Sequence, residues 1–447
     1  MMHETRALRY EGRLALIGGA ALALLVASAV PFARAAAQSV DSLTQAQPVA
    51  LPVDTAPVVA PVVAPVVKPV VAPAVAADSG PVWDIDVRSY ETHERVQHFV
   101  GLFSGSVRDE FAKSLQRQTR YGALIRQKLR AGGLPEDMTY LALVESWYDP
   151  NAFSKAAAVG IWQFMAGTGR GVGLRVDWWV DERRDPIRST EGAVRLLAGL
   201  REQFGSLYLA AAAYDGGDGR ISRGLVRYAD RMDGVQGEDR FFELAATKFL
   251  KPETRDYVPK IIAAALVGKE PARYGVTVDS LPPLVFDTVR VPGETPLAAI
   301  ANATDTTAEA VHELNFRLLR GMTPPGDSMW VRVPAGSAAA FEERFSALDP
   351  DERVGVTRVR SKKGQSMSSI ARAHGLSTKQ LGWYNPKVSR LKSGNLVTGQ
   401  TILVPTRATV RVAADVPNPS LERYPHHRAA VRRKTTAPAT AKKLGAH

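Results

Sequence analysis

Apolar side chains recur at three- and four-residue spacing through residues 83–270, as in 121–129, 140–144, 193–204 and 257–267. This spacing places apolar groups on one face of a helix. Glycine- and proline-rich breaks separate the runs, and no part of the region alternates like a strand for long. The sequence therefore predicts one all-α domain of about 190 residues, which is large enough to bury a core.

Two shorter segments, residues 284–336 and 354–405, share one layout. Each opens with a short β-rich run and a glycine-containing turn, continues with helical spacing up to Asn315 or Asn385, and closes with a strand that ends in proline. This is an internal repeat. It predicts two small α+β modules of β–α–α–β order, in which the helices cover a sheet too short to be stable alone.

The N-terminus is typical of an exported protein. Residues 1–37 contain arginines, an apolar run at 14–30 and small-residue cleavage patterns, which predicts a signal peptide and a location in the periplasm or cell envelope. If the signal is not cleaved, residues 14–30 are an alternative membrane attachment. Residues 38–82 are rich in Pro, Val and Ala, and their regularly spaced prolines favour an extended linker.

The distribution of charge along the chain indicates which kind of partner it could bind. Lys and Arg number 57 against 45 Asp and Glu, a net charge of +12. The basic excess is concentrated in 354–405, which has no acidic residue, and in 406–447, which we expect to be a disordered tail. The helical region and the first repeat taken together, within residues 38–353, are mildly acidic. That distribution and the export signal oppose a nucleic-acid partner and favour a polyanionic surface outside the cytoplasm.

The composition also excludes several kinds of site. The chain has no cysteine, so disulfides, Cys-ligated zinc, iron–sulfur clusters and thiol nucleophiles are ruled out. No His or acidic cluster has the spacing of metal ligands. We therefore expect no metal and no cofactor, and the sequence identifies no protein partner.

Glu145 is the carboxylate that stands out. It closes an apolar helical run and precedes Ser146-Trp147-Tyr148, with Pro150 beyond. A helix C-terminus and apolar neighbours both disfavour the ionised form of a carboxyl group. Raised towards neutrality, its pKa would suit a general acid that protonates a glycosidic oxygen. The alternative is an ordinary exposed glutamate.

Three further clusters carry polar and aromatic groups. In Gly160-Ile161-Trp162-Gln163-Phe164, the aromatic rings could stack on sugars or could instead be buried. Residues 211–220 combine small residues with Tyr214, Asp215 and several glycines, and residues 253–257 include Glu253 and Tyr257.

In this order and at these distances, the motifs resemble the soluble lytic transglycosylase domain. The arrangement over residues 83–405 is similar to the family of membrane-bound lytic murein transglycosylase D, and the two repeats resemble LysM modules, the first in degenerate form. The resemblance implies a multidomain chain with an all-α lysozyme-like catalytic domain at 83–270. It implies that Glu145 is the single catalytic acid and base. It also implies substrate contacts for six residues: Ser154, Gln163, Tyr214, Asp215, Glu253 and Tyr257.

The implied activity is cleavage of the β-1,4 bond between N-acetylmuramic acid and N-acetylglucosamine in peptidoglycan, with formation of 1,6-anhydromuramic acid. The LysM modules would hold the enzyme on the glycan strands. Asp215 departs from the family pattern, which usually has Asn. Its carboxylate could raise the pKa of Glu145, weaken acetamido recognition or supply a second group for hydrolysis. A goose-type muramidase and a non-catalytic wall-binding scaffold are the alternative readings.

Overall fold

The computed structural model describes residues 82–326 and 328–419. The predicted signal peptide, residues 38–81 of the predicted linker and residues 420–447 of the predicted tail lie outside the described residues. Within the described ranges, no helix has both the length and the apolar character needed to cross a membrane.

Residues 83–270 form the predicted all-α domain. Long α-helices alternate with short loops and 3₁₀ turns, as the glycine and proline breaks indicate. The helices are α1 (Glu94–Ser104), α2 (Arg108–Ala131), α3 (Thr139–Ser146), α4 (Ala166–Gly171), α5 (Pro186–Phe204), α6 (Leu207–Gly216), α7 (Asp218–Arg227), α8 (Ala229–Met232), α9 (Asp239–Ala246) and α10 (Pro252–Lys269).

Local sequence explains where α5 begins and ends. The Asp185 carboxylate accepts hydrogen bonds from the backbone N–H groups of Ile187 and Arg188, and Pro186 occupies the first turn. The helix ends at Gly205, whose φ of 63° is a left-handed conformation that glycine adopts without a side-chain clash. These signals fix the start and end of the helix.

Helix α10 is the central element of the domain. It packs against α1, α3 and α6. Residues 261–267 are all buried, so this stretch is apolar on every side rather than amphipathic. The N-terminal half of α10 faces the ends of α3 and α6, and it is there that the polar residues meet.

The two repeats each fold as β–α–α–β with an antiparallel two-stranded sheet, which confirms the predicted fold class. In the first module Asp287 pairs with Val333, and in the second Val356 pairs with Pro405. The elements are β1 (Asp287–Val291), α11 (Leu297–Ala303), α12 (Ala308–Leu314) and β2 (Met329–Val333), then β3 (Val356–Arg360), α14 (Met367–Ala373), α15 (Thr378–Tyr384) and β4 (Thr401–Pro405), with α13 (Phe341–Ala347) between the modules.

Two segments differ from the sequence-based expectation. The first module was expected to end at residue 336, yet Phe341 and Phe345 of α13 are buried in its core. The disordered tail was expected from residue 406, yet α16 (Arg407–Arg411) follows β4 directly, with Thr406 as its N-cap and Val410 buried. Both segments are too short for helical periodicity to reveal them.

The modules pack on the helical domain through a few polar and aromatic contacts. Asp185 forms ion pairs with Arg317 at 3.0 Å and with Arg332 at 2.8 Å, all three side chains being largely buried. The indole N–H of Trp178 donates to the backbone oxygen of Trp383 in the second module. The guanidinium of Arg320 lies 4.3 Å from the centroid of the Trp178 ring, and Tyr384 donates to the backbone oxygen of Arg320 at 2.7 Å.

Candidate active site

Glu145 lies in the last turn of α3, as the sequence predicts. The helix ends at Ser146, four residues before Pro150, and Trp147 and Tyr148 follow with φ values of 56° and 58°. Left-handed backbone is unfavourable for residues with a side chain, by about 1–3 kcal/mol each. The neighbourhood of Glu145 is therefore held in a conformation that the surrounding packing must stabilise.

Several contacts supply that packing. The Trp147 ring meets Phe103 and Phe111 edge-on, with centroids 6.1 and 6.2 Å away. The Arg117 side chain donates to the backbone oxygen of Trp147 at 2.7 Å. Tyr148 is fully buried, and its hydroxyl donates to the backbone oxygen of Thr139, at the start of α3, at 2.6 Å. The turn after Glu145 is thus fixed on both sides.

The Glu145 carboxyl is half-buried and accepts a hydrogen bond from the Tyr257 hydroxyl of α10. Burial raises its pKa to about 8; the Tyr257 hydrogen bond opposes this shift, and the nearby charges of Asp215 and Glu253 add to it. A carboxyl with this pKa is largely protonated at neutral pH. It can donate a proton to a leaving oxygen and, once ionised, is stabilised by the Tyr257 O–H.

Two other carboxylates lie near this pair. Asp215, at the end of α6, is only 6% exposed, and burial raises its pKa although a hydrogen bond with Thr254 opposes the shift. Burial, and secondarily the charge of Asp215, raises the pKa of Glu253 in the first turn of α10 to about 7. The structure therefore brings Glu145, Asp215, Glu253 and Tyr257 together from three helices.

Gln163 and Ser154 lie in the loop between α3 and α4. Gln163 has a left-handed backbone, with φ of 47°, and its side-chain amide donates to the backbone oxygen of Gly160 at 2.8 Å. The Ser154 hydroxyl oxygen accepts from the backbone N–H of Ala158 at 3.0 Å. Both side chains order their own loop.

This loop is tied to the helices that carry the site. The Ser146 hydroxyl of α3 donates to the backbone oxygen of Ile161 at 2.8 Å. The Tyr214 hydroxyl of α6 donates to the backbone oxygen of Trp162 at 2.6 Å. Tyr214 therefore joins α6 to the loop, while burial raises its pKa well above the ordinary value.

Of the two readings left open for the aromatic cluster, the structure favours burial. Trp162 has no exposed surface, and its indole N–H donates to the Thr190 hydroxyl at 2.9 Å. Phe164 is also buried, with its ring 6.0 Å from that of Tyr214. These two rings pack beneath the loop and do not form a surface on which sugars could stack.

Sequence reasoning missed three contributors. Lys260 follows Glu253 and Tyr257 on the same face of α10, and its charge lowers the pKa of Glu145. Thr254 holds Asp215. The spacing of four and seven residues on one helix face could have identified Lys260.

The third contributor, Arg183, supports the loop. Its buried guanidinium donates to the backbone oxygens of Ala157 and Phe164 at 3.2 and 2.9 Å and pairs with Asp181 at 2.8 Å. Its own backbone oxygen lies so close to Gly160 that a Cβ there would be 1.9 Å away. No local sequence signal links Arg183 to residues 157–164, because the contact depends on tertiary packing.

Across residues 82–326 and 328–419, no three His, Asp or Glu side chains are placed so that they could hold a metal ion. The Glu145 carboxyl instead contacts the Tyr257 hydroxyl, and Asp215 and Glu253 are near enough for their charges to raise its pKa.

Three family models match the chain in the order of its domains. The transglycosylase SLT domain matches residues 123–233, the LysM-like domain of lytic transglycosylase MltD matches 285–349, and the LysM domain matches 362–405. The first match contains Glu145, Ser154, Gln163, Tyr214 and Asp215 but ends before Glu253 and Tyr257.

Curated relatives point the same way. Membrane-bound lytic murein transglycosylase D of Escherichia coli strain K12 is 30% identical over 299 residues, covering 63% of this chain. The chain spans 64% of that protein's length. Peptidoglycan transglycosylase gp16 of Escherichia phage T7 is 36% identical over 104 residues, 23% of this chain and 8% of the phage protein.

Among solved structures, the 70 kDa soluble lytic transglycosylase of Escherichia coli aligns with a TM-score of 0.28 and 22% identity, over 34% of this chain and 24% of that one.

Proposed function

We propose that the chain is a lytic transglycosylase of peptidoglycan, because models of a transglycosylase SLT domain, an MltD-type LysM-like domain and a LysM domain match it in that order. It cleaves the β-1,4 bond between N-acetylmuramic acid and N-acetylglucosamine and forms 1,6-anhydromuramic acid. The observation that carries this proposal is Glu145, a carboxyl with a pKa of about 8 held against the Tyr257 hydroxyl.

In the first step, protonated Glu145 gives its proton to the glycosidic oxygen, and the bond from that oxygen to C1 of muramic acid breaks. The 2-acetamido oxygen of the same sugar stabilises the positive charge that develops at C1. The Tyr257 hydrogen bond supports this step, because it favours the ionised carboxylate that the transfer leaves behind.

In the second step, ionised Glu145 accepts the proton of the C6 hydroxyl, whose oxygen closes on C1. The carboxyl is then protonated again, as it was at the start. Ring closure outcompetes water because the nucleophile belongs to the substrate and is already in place. One carboxyl group suffices for both proton transfers.

The hydrolytic alternative needs a second carboxylate that activates a water molecule. Asp215 is the candidate, but it is almost fully buried and hydrogen-bonded with Thr254. This placement favours an electrostatic effect on Glu145 over a water-activating role, and it argues against the muramidase reading.

The proposal is tested by mass spectrometry of the sugar products after digestion of purified peptidoglycan. We expect 1,6-anhydromuropeptides from the wild-type protein and a loss of rate of at least about a thousandfold for Glu145→Gln, which cannot donate the proton. Glu136→Gln, at a surface glutamate paired with Arg130, is the control and should retain activity. Muropeptides with free reducing ends would show a hydrolase, and an absence of products from the wild type would favour the scaffold reading.

We also propose that the modules bind glycan strands, a role supported by the LysM match at 362–405 and by the lack of acidic residues in 354–405. Location in the cell envelope belongs to the same proposal and is supported by the similarity to membrane-bound lytic murein transglycosylase D.

A further inference from the structure

A surface pocket lies between α7 and the segment that precedes α10. It has a volume of about 430 Å³ and is lined by Ser222, Arg223, Val226, Arg227 and Phe249. Val226 is 79% exposed, an unusual state for an aliphatic side chain on a helix. The pocket thus combines two apolar side chains, Val226 and Phe249, with the guanidinium groups of the two arginines.

The guanidinium groups are available to an external anion. Within the described residues, neither Arg223 nor Arg227 forms an ion pair with a carboxylate. The Arg227 guanidinium lies 5.9 Å from the centroid of the Phe249 ring, which holds it over the pocket. Lys248 and Lys251 lie one and two residues from Phe249 in the chain.

The pocket lies beside the candidate active site. Gly216, next to Asp215, packs against Thr254, and Gly224 in α7 packs against Phe249. Helix α7 and residues 249–254 therefore run side by side from the carboxylates to the pocket. The ten residues of α7 span about 15 Å, which places the pocket within reach of a group attached to the sugar being cleaved.

We propose that this pocket binds a carboxylate of the peptide attached to the muramic acid beside the cleaved bond. The inference rests on the proposed function, since that substrate carries short peptides on its lactyl groups, with free carboxylates and small alkyl side chains. Guanidinium groups match carboxylates in shape and charge, and Val226 and Phe249 suit the alkyl groups. The pocket makes peptide-bearing glycan the preferred substrate.

The test compares kcat/KM on glycan strands that bear peptides with kcat/KM on the same strands after an amidase has removed the peptides. We expect the wild-type protein to favour the peptide-bearing strands at least about tenfold, the effect of losing one charge-assisted hydrogen bond. In the double variant Arg223→Gln, Arg227→Gln the ratio should fall to about one.

The matched control is the double variant Lys113→Gln, Arg231→Gln, which removes the same charge from exposed residues already paired with Glu110 and Glu243. It should keep the wild-type ratio. A wild-type ratio of one, or a pocket variant that keeps the preference, overturns the inference. If the pocket variant keeps the preference and instead loses binding to phosphatidylglycerol vesicles, the pocket is a lipid site and the inference is equally overturned.

Failure of the proposed function gives a different result, since the wild-type protein would then cut neither kind of strand. Circular dichroism melting of both double variants checks that each is folded.

Discussion

Asp215 is the residue at which this chain departs most informatively from the pattern it resembles. Its carboxylate is buried at a helix end, and its negative charge, when present, raises the pKa of Glu145. Of the three effects left open by the sequence, the structure favours this one. Asp215 would then help keep Glu145 protonated as the pH rises.

We predict that Asp215→Asn moves the alkaline limb of the pH profile to lower pH. Glu145 must be protonated to act as an acid, so activity falls as the pH rises through its pKa of about 8. Removing the Asp215 charge removes one cause of that raised pKa, and we expect a shift of roughly one unit. The measurement is kcat/KM between pH 5 and 10 on peptidoglycan.

Asp218→Asn, at the exposed first residue of α7, is the control and should leave the limb unchanged. An unchanged limb in the Asp215 variant as well would show that Asp215 does not act on Glu145 through its charge.

The loop between α3 and α4 is the element on which the site depends most. It carries Gln163 and Ser154, and it is held from one side by Ser146 and Tyr214 and from the other by Arg183. Gly160 lies at the closest approach, with φ of 82° and no room for a Cβ. The sequence shows the glycine but not the backbone oxygen of Arg183 beside it.

We predict that Gly160→Ala displaces this loop. The new methyl group would collide with the Arg183 backbone, and the left-handed φ adds strain, so the free energy of unfolding should fall by roughly 2–4 kcal/mol. Urea denaturation followed by circular dichroism measures the change. Gly199→Ala, at a site in α5 with no heavy atom within 4 Å, should be neutral or slightly stabilising. Equal effects of the two substitutions would contradict the close contact.

At this scale the sequence was a good guide to long helices and a poor one to short segments such as α13 and α16. Apolar spacing predicted α2, α5 and α10 because a periodic pattern over many residues outweighs local noise. The left-handed backbone after α3 could not be predicted, since Trp147 is stabilised by Phe103, Phe111 and Arg117, all distant in sequence. The burial of Trp162 could not be predicted either, because it depends on packing against residues distant in sequence, such as Thr190.

Across the whole molecule, Arg320 connects parts that the sequence presents as separate modules. It belongs to the first module, stacks over Trp178 of the helical domain and donates to the backbone oxygens of Trp178 and Ala414, each at 3.2 Å. Tyr384 of the second module donates to its backbone oxygen. The repeat and the domain order were predictable from local patterns, but these contacts between modules were not.

We predict that Arg320→Ala loosens the modules from the helical domain. The substitution leaves a cavity under Trp178 and removes two hydrogen bonds, and it should lower the free energy of unfolding by about 2–4 kcal/mol. Limited proteolysis between residues 348 and 355 should accelerate. Arg290→Ala, at an exposed position of β1, should change neither quantity. Unaltered proteolysis of the Arg320 variant would mean that the modules are held by other contacts.

The contact between Trp178 and Trp383 limits which LysM domains could replace the second module. The indole N–H of Trp178 is satisfied by the backbone of the second module, and Arg320 lies between the two tryptophan rings. A LysM domain transplanted from another protein would have to offer a matching acceptor and aromatic edge. Otherwise the Trp178 indole N–H would lack a hydrogen-bond acceptor and the Arg320 guanidinium would lose one of its aromatic contacts. The hybrid would then be less stable than either parent.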